Sequence, residues 1–386
     1  MRVLLAFDKF KGSLTAPAAC AAAAAGLRAA HPDWRIDACP LADGGDGFAS
    51  ILTHALGGRM ETRTVTGPRG DPVEAAFGLV SLAHLPPRAR ALLTLAPNLP
   101  AGGNLALVEL ASASGLALLC PEHRDPWQAS TVGTGELVRA AAEGGAAAIV
   151  LGVGGSATHD LGLGALAALG LDLRDNHGDR VDPPVPSRWE AITRIGTKFP
   201  PLPPLRIACD VTNPLLGTRG AAATFAPQKG LRPGDLSRLE HATARLTLML
   251  TARFRRGEDL VDRPGAGAAG GSAFGLMTAL GAELVPGFEL VSAWLDLAGR
   301  LAAADLVFTG EGAFDGSTLD GKGPGEVIRR AAALGKPVHI FAGRVEAPAP
   351  GAGCTCHAIT PPGTAEDAAR RQAAELLQQA VGKAFG

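Results

Sequence analysis

Short, almost continuously apolar runs alternate along this chain with longer alanine-rich stretches, and the two patterns predict different elements. Residues 2–7 (RVLLAF) suit a strand buried on both faces. Residues 14–30 predict a helix: Ser13 or Thr15 can cap it, Pro17 suits its first turn, and residues 21–25 are all alanine. A second strand over 35–41 and a second helix over 47–56 repeat the unit. Between 60 and 80 the pattern becomes polar/apolar alternation around Gly67-Pro68-Arg69-Gly70, the mark of a hairpin with a Pro/Gly turn.

Strand and helix then alternate again. Strands are predicted at 105–110, 147–153 and 205–208, with helices at 134–142 and 162–169 between them. After Gly281 come strands at 306–308, 338–341 and 357–359, and helices at 325–334 and 364–384. The expected fold class is therefore α/β. A Rossmann-like parallel-sheet domain formed by both chain ends (1–60 and 282–386) would carry an inserted second α/β domain (61–281). A chain of 386 residues suits two cores of this kind.

Charge narrows the partners. The 36 basic and 37 acidic residues nearly cancel and form no long single-sign run, so the sequence has no electrostatic footprint for nucleic acid or an anionic membrane. Asp8, Lys9 and Lys11 interrupt the first apolar run, unlike a signal peptide, and residues 266–282 are too rich in Gly and Ala to span a bilayer. A cytoplasmic protein acting on small molecules is expected. Its six scattered cysteines contain no C-x-x-C pair, which suits reduced thiols.

Candidate chemistry collects where strands run into glycine. The turn at 8–13 (DKFKGS) lies where an open parallel sheet binds ligands, outside the carboxyl end of a strand, and the turn at 42–47 (ADGGDG) repeats the arrangement with Asp43 and Asp46. Residues 152–160 (GVGGSATHD) follow a strand and precede a helix, so backbone amides with Ser156 and Thr158 can wrap phosphate, although the dinucleotide fingerprint fails at Ala157. Asp210 and Asn213 end another strand, and Lys229 in 225–230 (FAPQKG) reads as a solvated lysine. In 309–325 (TGEGAFDGSTLDGKGPG), Glu311, Asp315 and Asp320 are hard oxygen ligands for Mg²⁺ and Lys322 is a cation. Residues 316–323 nearly spell a P-loop, but Gly323 stands where a metal-binding Ser or Thr is required.

Eight blocks in order resemble the bacterial glycerate kinase family, the class without a P-loop. They are DKFKGSL (8–14), ADGGDG (42–47), GTGELVRAA (133–141), GGSATHDLGLG (154–164), ACDVTNPLLGTRGAA (208–222), FAPQKG (225–230), GAAGG (267–271) and TGEGAFDGSTLDGKGPGEV (309–327). Local departures are Phe7 and Lys9 for Pro and Ser, Asp46 for Glu, His159 for Asn and Ser317 for Gln. The resemblance implies ATP-dependent phosphorylation of D-glycerate in an interdomain cleft, usually at the 2-hydroxyl to give 2-phospho-D-glycerate and ADP. ATP and Mg²⁺ are the implied cofactors, and a homodimer the expected assembly.

Under that resemblance Asp8, Lys11, Asp210 and Lys322 are the expected catalytic residues, with Asp8 or Asp210 contacting the attacking hydroxyl and the lysines the anionic groups. Phe10, Ser13, Asp43, Asn213 and Asp315 are expected at the substrate, Gly154, Gly155, Ser156 and Thr158 at the nucleotide, and Asp46 and Glu311 at the metal. The competing readings are a kinase forming the 3-phosphate, a P-loop-like NTPase and a small-anion binding protein. Clustered carboxylates oppose the last, because they suit phosphate only with a metal present.

Overall fold

The computed structural model describes residues 1–95, 99, 102–319 and 323–386, with only the backbone of Ser317. Asp320 and Lys322 lie outside the described residues. The chain forms two compact units, Met1–Asp43 with Phe288–Gly386, and Gly44–Gly287. Among the described residues no helix is long and apolar enough to cross a membrane.

In the first unit, five strands form an all-parallel sheet in the order Cys354–Ala358, Val338–Ala342, Leu306–Gly310, Arg2–Phe7, Arg35–Ala38. Both chain ends thus enter one sheet, as the apolar runs predict. Arg2–Phe7 is its hub, paired with Leu306–Gly310 on one side and Arg35–Ala38 on the other, and residues 3–7 are fully buried. Helix Ala16–Ala30 starts at Thr15, whose hydroxyl accepts from the Ala18 N–H at 3.3 Å. It crosses helix Ala373–Phe385 at Gly26, where a Cβ would stand 2.4 Å from the Gln378 carbonyl oxygen, so only glycine permits this approach. The single helix expected at 364–384 is instead two, Glu366–Arg371 and Ala373–Phe385, because Gln372 leaves helical geometry at φ −99°, ψ 9°.

The second unit has a six-stranded mixed sheet in the order Glu283–Val285, Leu205–Ala208, Ala146–Gly152, Asn104–Glu109, Pro72–Ser81, Arg59–Thr66. Its first four strands are parallel, and the expected hairpin supplies the two antiparallel ones. The seams fall at 43/44 and 287/288, against 60/61 and 281/282 expected from the sequence. The first shift arises because helix Phe48–Ala55 packs on strand Pro72–Ser81, with Thr53 against Gly78, where a Cβ would meet the Thr53 hydroxyl at 1.7 Å, and the second because strand Glu283–Val285 pairs with Leu205–Ala208. The 19-residue helix Leu236–Phe254, absent from the expected elements, buries Leu239, Leu246 and Leu250.

Candidate functional site

In the first unit, strand Arg2–Phe7 delivers Asp8 to its carboxyl end, where the side chain is 7% exposed. Its carboxylate accepts from the Lys9 N–H at 2.7 Å, and its own N–H donates to the Gly310 carbonyl at 3.1 Å. Burial, then the negative charge of Asp43, push the Asp8 carboxyl up to about 7; Glu311 adds to the shift, while Lys9 and the Lys9 hydrogen bond oppose it. Lys9 Nζ lies 3.8 Å from Asp43 Oδ1. Three acids from three strand ends, Asp8, Asp43 and Glu311, therefore share one electrostatic neighbourhood.

The rest of that turn is divided. Residues 10–14 close on themselves, with the Ser13 and Leu14 N–H groups and the Ser13 hydroxyl all donating to the Phe10 carbonyl, and Gly12 takes φ +76°. Lys11 is exposed. Phe10, expected at the substrate, is 2% exposed and packs its ring on Phe7, so its side chain serves the core. Ser13 is exposed but its hydroxyl is engaged within the turn. Asp315 is half-buried, its N–H donating to the Thr318 hydroxyl at 3.2 Å. Lys322 cannot be placed, since it falls outside the described residues.

In the second unit the two glycine turns meet. The Gly154 N–H donates to the Gly44 carbonyl at 3.0 Å, and a Cβ on Gly154 would lie 2.7 Å from Gly45 Cα. A Cβ on Gly155 would stand 3.1 Å from Asp46 Oδ1, which sets the exposed Asp46 carboxylate beside the expected phosphate loop. This places an expected metal ligand next to the expected nucleotide residues Gly154, Gly155 and Ser156. Asp210 is exposed after strand Leu205–Ala208, and the Asn213 amide is held by the Arg219 carbonyl at 2.8 Å and the Thr224 hydroxyl at 3.2 Å.

Helix Phe48–Ala55 is not a vacant anion site. Glu109 accepts from the Gly47 N–H at 3.2 Å and the Ala49 N–H at 2.6 Å, so a carboxylate of the protein already answers its N-terminus. Glu109 is not among the residues expected from the sequence; its signal there is an acid closing an otherwise apolar strand. Asp160, fully buried, accepts from the Thr131 N–H and hydroxyl and from the Gly162 and Gly164 N–H groups, tying residues 160–164 to helix Val132–Glu143. Burial pushes its pKa up and these four donors oppose the shift.

Lys229 overturns its expected solvated state: it is 1% exposed and donates to Ser156 Oγ at 2.8 Å and to the Thr158 carbonyl at 2.6 Å. The Ala226 N–H to Ala222 carbonyl bond and the Lys229 N–H to Ala226 carbonyl bond turn the chain inward there, a fold of the backbone that composition does not signal. His159 is also fully buried. Its Nε2 faces Thr243 Oγ1 at 3.0 Å, and that hydroxyl already donates to the Leu239 carbonyl, so Nε2 carries the proton and Nδ1 has no partner.

Carboxylates and glycine turns in this arrangement suit phosphate chemistry assisted by a divalent cation. Among the described residues no group of three or more His, Cys, Asp or Glu could hold a metal by itself. That donor set still fits Mg²⁺, which is typically bound by one or two carboxylates together with water and substrate phosphate.

A family model described as "Glycerate kinase family" matches residues 3–385. The chain is 36% identical over 349 residues to a glycerate kinase of Bacillus subtilis (strain 168) and, over the same length, to a glycerate 2-kinase of Escherichia coli (strain K12). Each match covers 89% of this chain and 85% of the relative. A crystal structure from Salmonella typhimurium LT2, provisionally assigned as glycerate kinase 2, superposes with a TM-score of 0.73 at 35% identity, covering 100% of this chain and 97% of that one.

Proposed function

The chain belongs to the glycerate kinase family and is a kinase, and from that premise we propose that it transfers the γ-phosphoryl group of ATP to the 2-hydroxyl of D-glycerate. The relative named a glycerate 2-kinase supports the choice of hydroxyl. The observation that carries the mechanism is the buried Asp8 carboxylate at the end of the hub strand, with Asp43 and Glu311 acting on it and Lys9 ion-paired to Asp43.

In this reading Asp8 takes the hydroxyl proton as the substrate oxygen forms its bond to the γ-phosphorus, and the bond from that phosphorus to the β,γ-bridging oxygen breaks to release ADP. Burial favours Asp8 over the exposed Asp210 as the base, because a carboxylate held out of water binds a proton more readily. Lys11 and Lys322 are assigned to the anionic groups of the substrates, and Asp43, Asn213 and Asp315 to orienting glycerate. Gly154, Gly155, Ser156 and Thr158 are assigned to the nucleotide phosphates. Asp46 and Glu311 are the residues offered to Mg²⁺ or its water shell, and magnesium when bound would neutralise phosphate charge. The proposal includes the homodimer and the cytoplasmic setting expected from the sequence.

One assay tests it. The protein is incubated with Mg·ATP and D-glycerate, and product is coupled directly to enolase without a mutase. ADP release that depends on glycerate, together with an enolase signal, is the expected result. Absence of glycerate-dependent ADP would reject the kinase reading; ADP without an enolase signal would assign the 3-phosphate.

A further inference from the structure

A buried ammonium is costly unless its donors are met, and a lysine is almost never fully buried without a reason. Lys229 sits at the end of the short turn Pro227–Lys229 in the second unit, where burial pushes its ammonium down to about 7 and the nearby Asp160 opposes the shift. Its two hydrogen-bond partners lie more than 70 positions away, and both belong to the glycine loop at 152–160. Apart from the Thr158 carbonyl, the backbone of that loop is held without the lysine. Gly154 is held by the Gly44 carbonyl at 3.0 Å, Ala157 by the Ser114 carbonyl at 2.9 Å, and the Gly155 carbonyl by the Leu116 N–H at 2.8 Å.

What the lysine does fix is the direction of the Ser156 hydroxyl, while at Thr158 it bonds the backbone carbonyl. Ser156 Oγ spends a lone pair on Lys229 and makes no other hydrogen bond among the described residues, so its hydrogen is left to donate elsewhere. Thr158 Oγ1 is a second buried hydroxyl, 0% exposed at residue level and without a hydrogen-bond partner, on the residue whose carbonyl the lysine holds. The Ser156 hydroxyl, with a donor to spare beside a glycine turn and a cation, suits an anionic oxygen ligand.

We propose that Lys229 is a positioning residue, which orients Ser156 so that its hydroxyl hydrogen faces the phosphate oxygens of the nucleotide. The inference rests on the kinase reading above and assigns this lysine to the nucleotide rather than to glycerate. It acts through Ser156, so its removal should matter only while the serine hydroxyl is present.

The test is a double-mutant cycle on Lys229→Gln, Ser156→Ala and the double variant. It is read as the Kd of a non-hydrolysable ATP analogue with Mg²⁺, and as KM for ATP against KM for glycerate. Each single variant is expected to weaken the analogue roughly tenfold. The double variant should bind about as weakly as the worse single one, with KM for glycerate changed less than about twofold. Analogue affinity within about twofold of wild type in Lys229→Gln would overturn the proposal whatever its melting temperature does, and so would multiplying effects in the double variant. If neither lysine variant folds, Ser156→Ala alone decides, since unchanged analogue affinity there removes the ligand the lysine is said to serve. A wild type that binds the analogue but leaves glycerate unphosphorylated sinks the substrate reading and not this one. A wild type active on glycerate with an unaffected Lys229→Gln sinks only this one.

Discussion

The Glu109 carboxylate accepts a 2.6 Å hydrogen bond from the backbone N–H of Ala49, at the start of helix Phe48–Ala55. A second bond to the Gly47 N–H makes Glu109 a cap supplied from a neighbouring strand rather than from the helix's own flank. Glu109→Ala leaves two N–H groups of a half-buried helix end without this partner and removes a charge that complements the helix dipole. A loss of about 1–3 kcal/mol in urea unfolding is expected, with Glu109→Gln losing less because it keeps one acceptor.

His159 predicts how stability changes with acid. Burial and the nearby Lys229 hold its imidazole down at about 3, against an ordinary value near 6.5, so the fold admits only the neutral ring. The folded state then binds fewer protons than the unfolded chain between these two values. Its contribution is complete above the unfolded value and is lost as pH falls from about 6.5 towards 3, at up to about 1.4 kcal/mol per pH unit. Between pH 7 and pH 5 wild type should therefore lose about 2 kcal/mol more than His159→Asn, which has no proton to take up. Chemical denaturation at the two pH values measures the difference; parallel losses in the two proteins would contradict the assignment.

Gly26→Ala weighs two opposed effects at one atom. Alanine gains about 1 kcal/mol of helix propensity over glycine. Its methyl group, however, would sit 2.4 Å from the Gln378 carbonyl oxygen and 3.1 Å from Val381 Cβ, so helices Ala16–Ala30 and Ala373–Phe385 must separate. Overpacking of that kind costs about 1–3 kcal/mol, and the crowded atom is backbone, which cannot rotate away. Thermal unfolding should show a net decrease in Tm. An increase would mean that the helices part freely.

The strands were legible wherever apolar residues ran unbroken, as in Arg2–Phe7 and Leu306–Gly310, because a parallel strand covered on both faces leaves that mark in any sequence. The hairpin was legible from its Pro/Gly turn. Phe10 was misplaced because its glycine- and lysine-rich neighbours suggest a ligand loop, while the turn closing at Leu14 drives the ring into the core. Lys229 was misread for the opposite reason: its partners Ser156 and Thr158 are distant in sequence, and only the folded chain brings them to it. The structure has Gly270 at φ +63°, with a Cβ there falling 2.3 Å from the Thr158 carbonyl oxygen.

Asp8 joins function to stability with opposite signs. Its carboxyl, raised to about 7 by burial and by Asp43, is harder to ionise in the fold than in the unfolded chain. The folded state therefore binds the extra proton between about 4 and 7, and stability falls as pH rises through that window. Asp8→Asn keeps an acceptor for the Lys9 N–H and carries no charge, so in metal-free buffer it should be more stable than wild type at pH 8, by on the order of 2 kcal/mol. That advantage should vanish by pH 4. Turnover should move the other way, falling at least about a hundredfold, because asparagine cannot take the hydroxyl proton. Asp210→Asn, at an exposed residue, should retain far more activity. Full activity in Asp8→Asn would remove it as the base, while a large loss confined to Asp210→Asn would transfer the role to that residue.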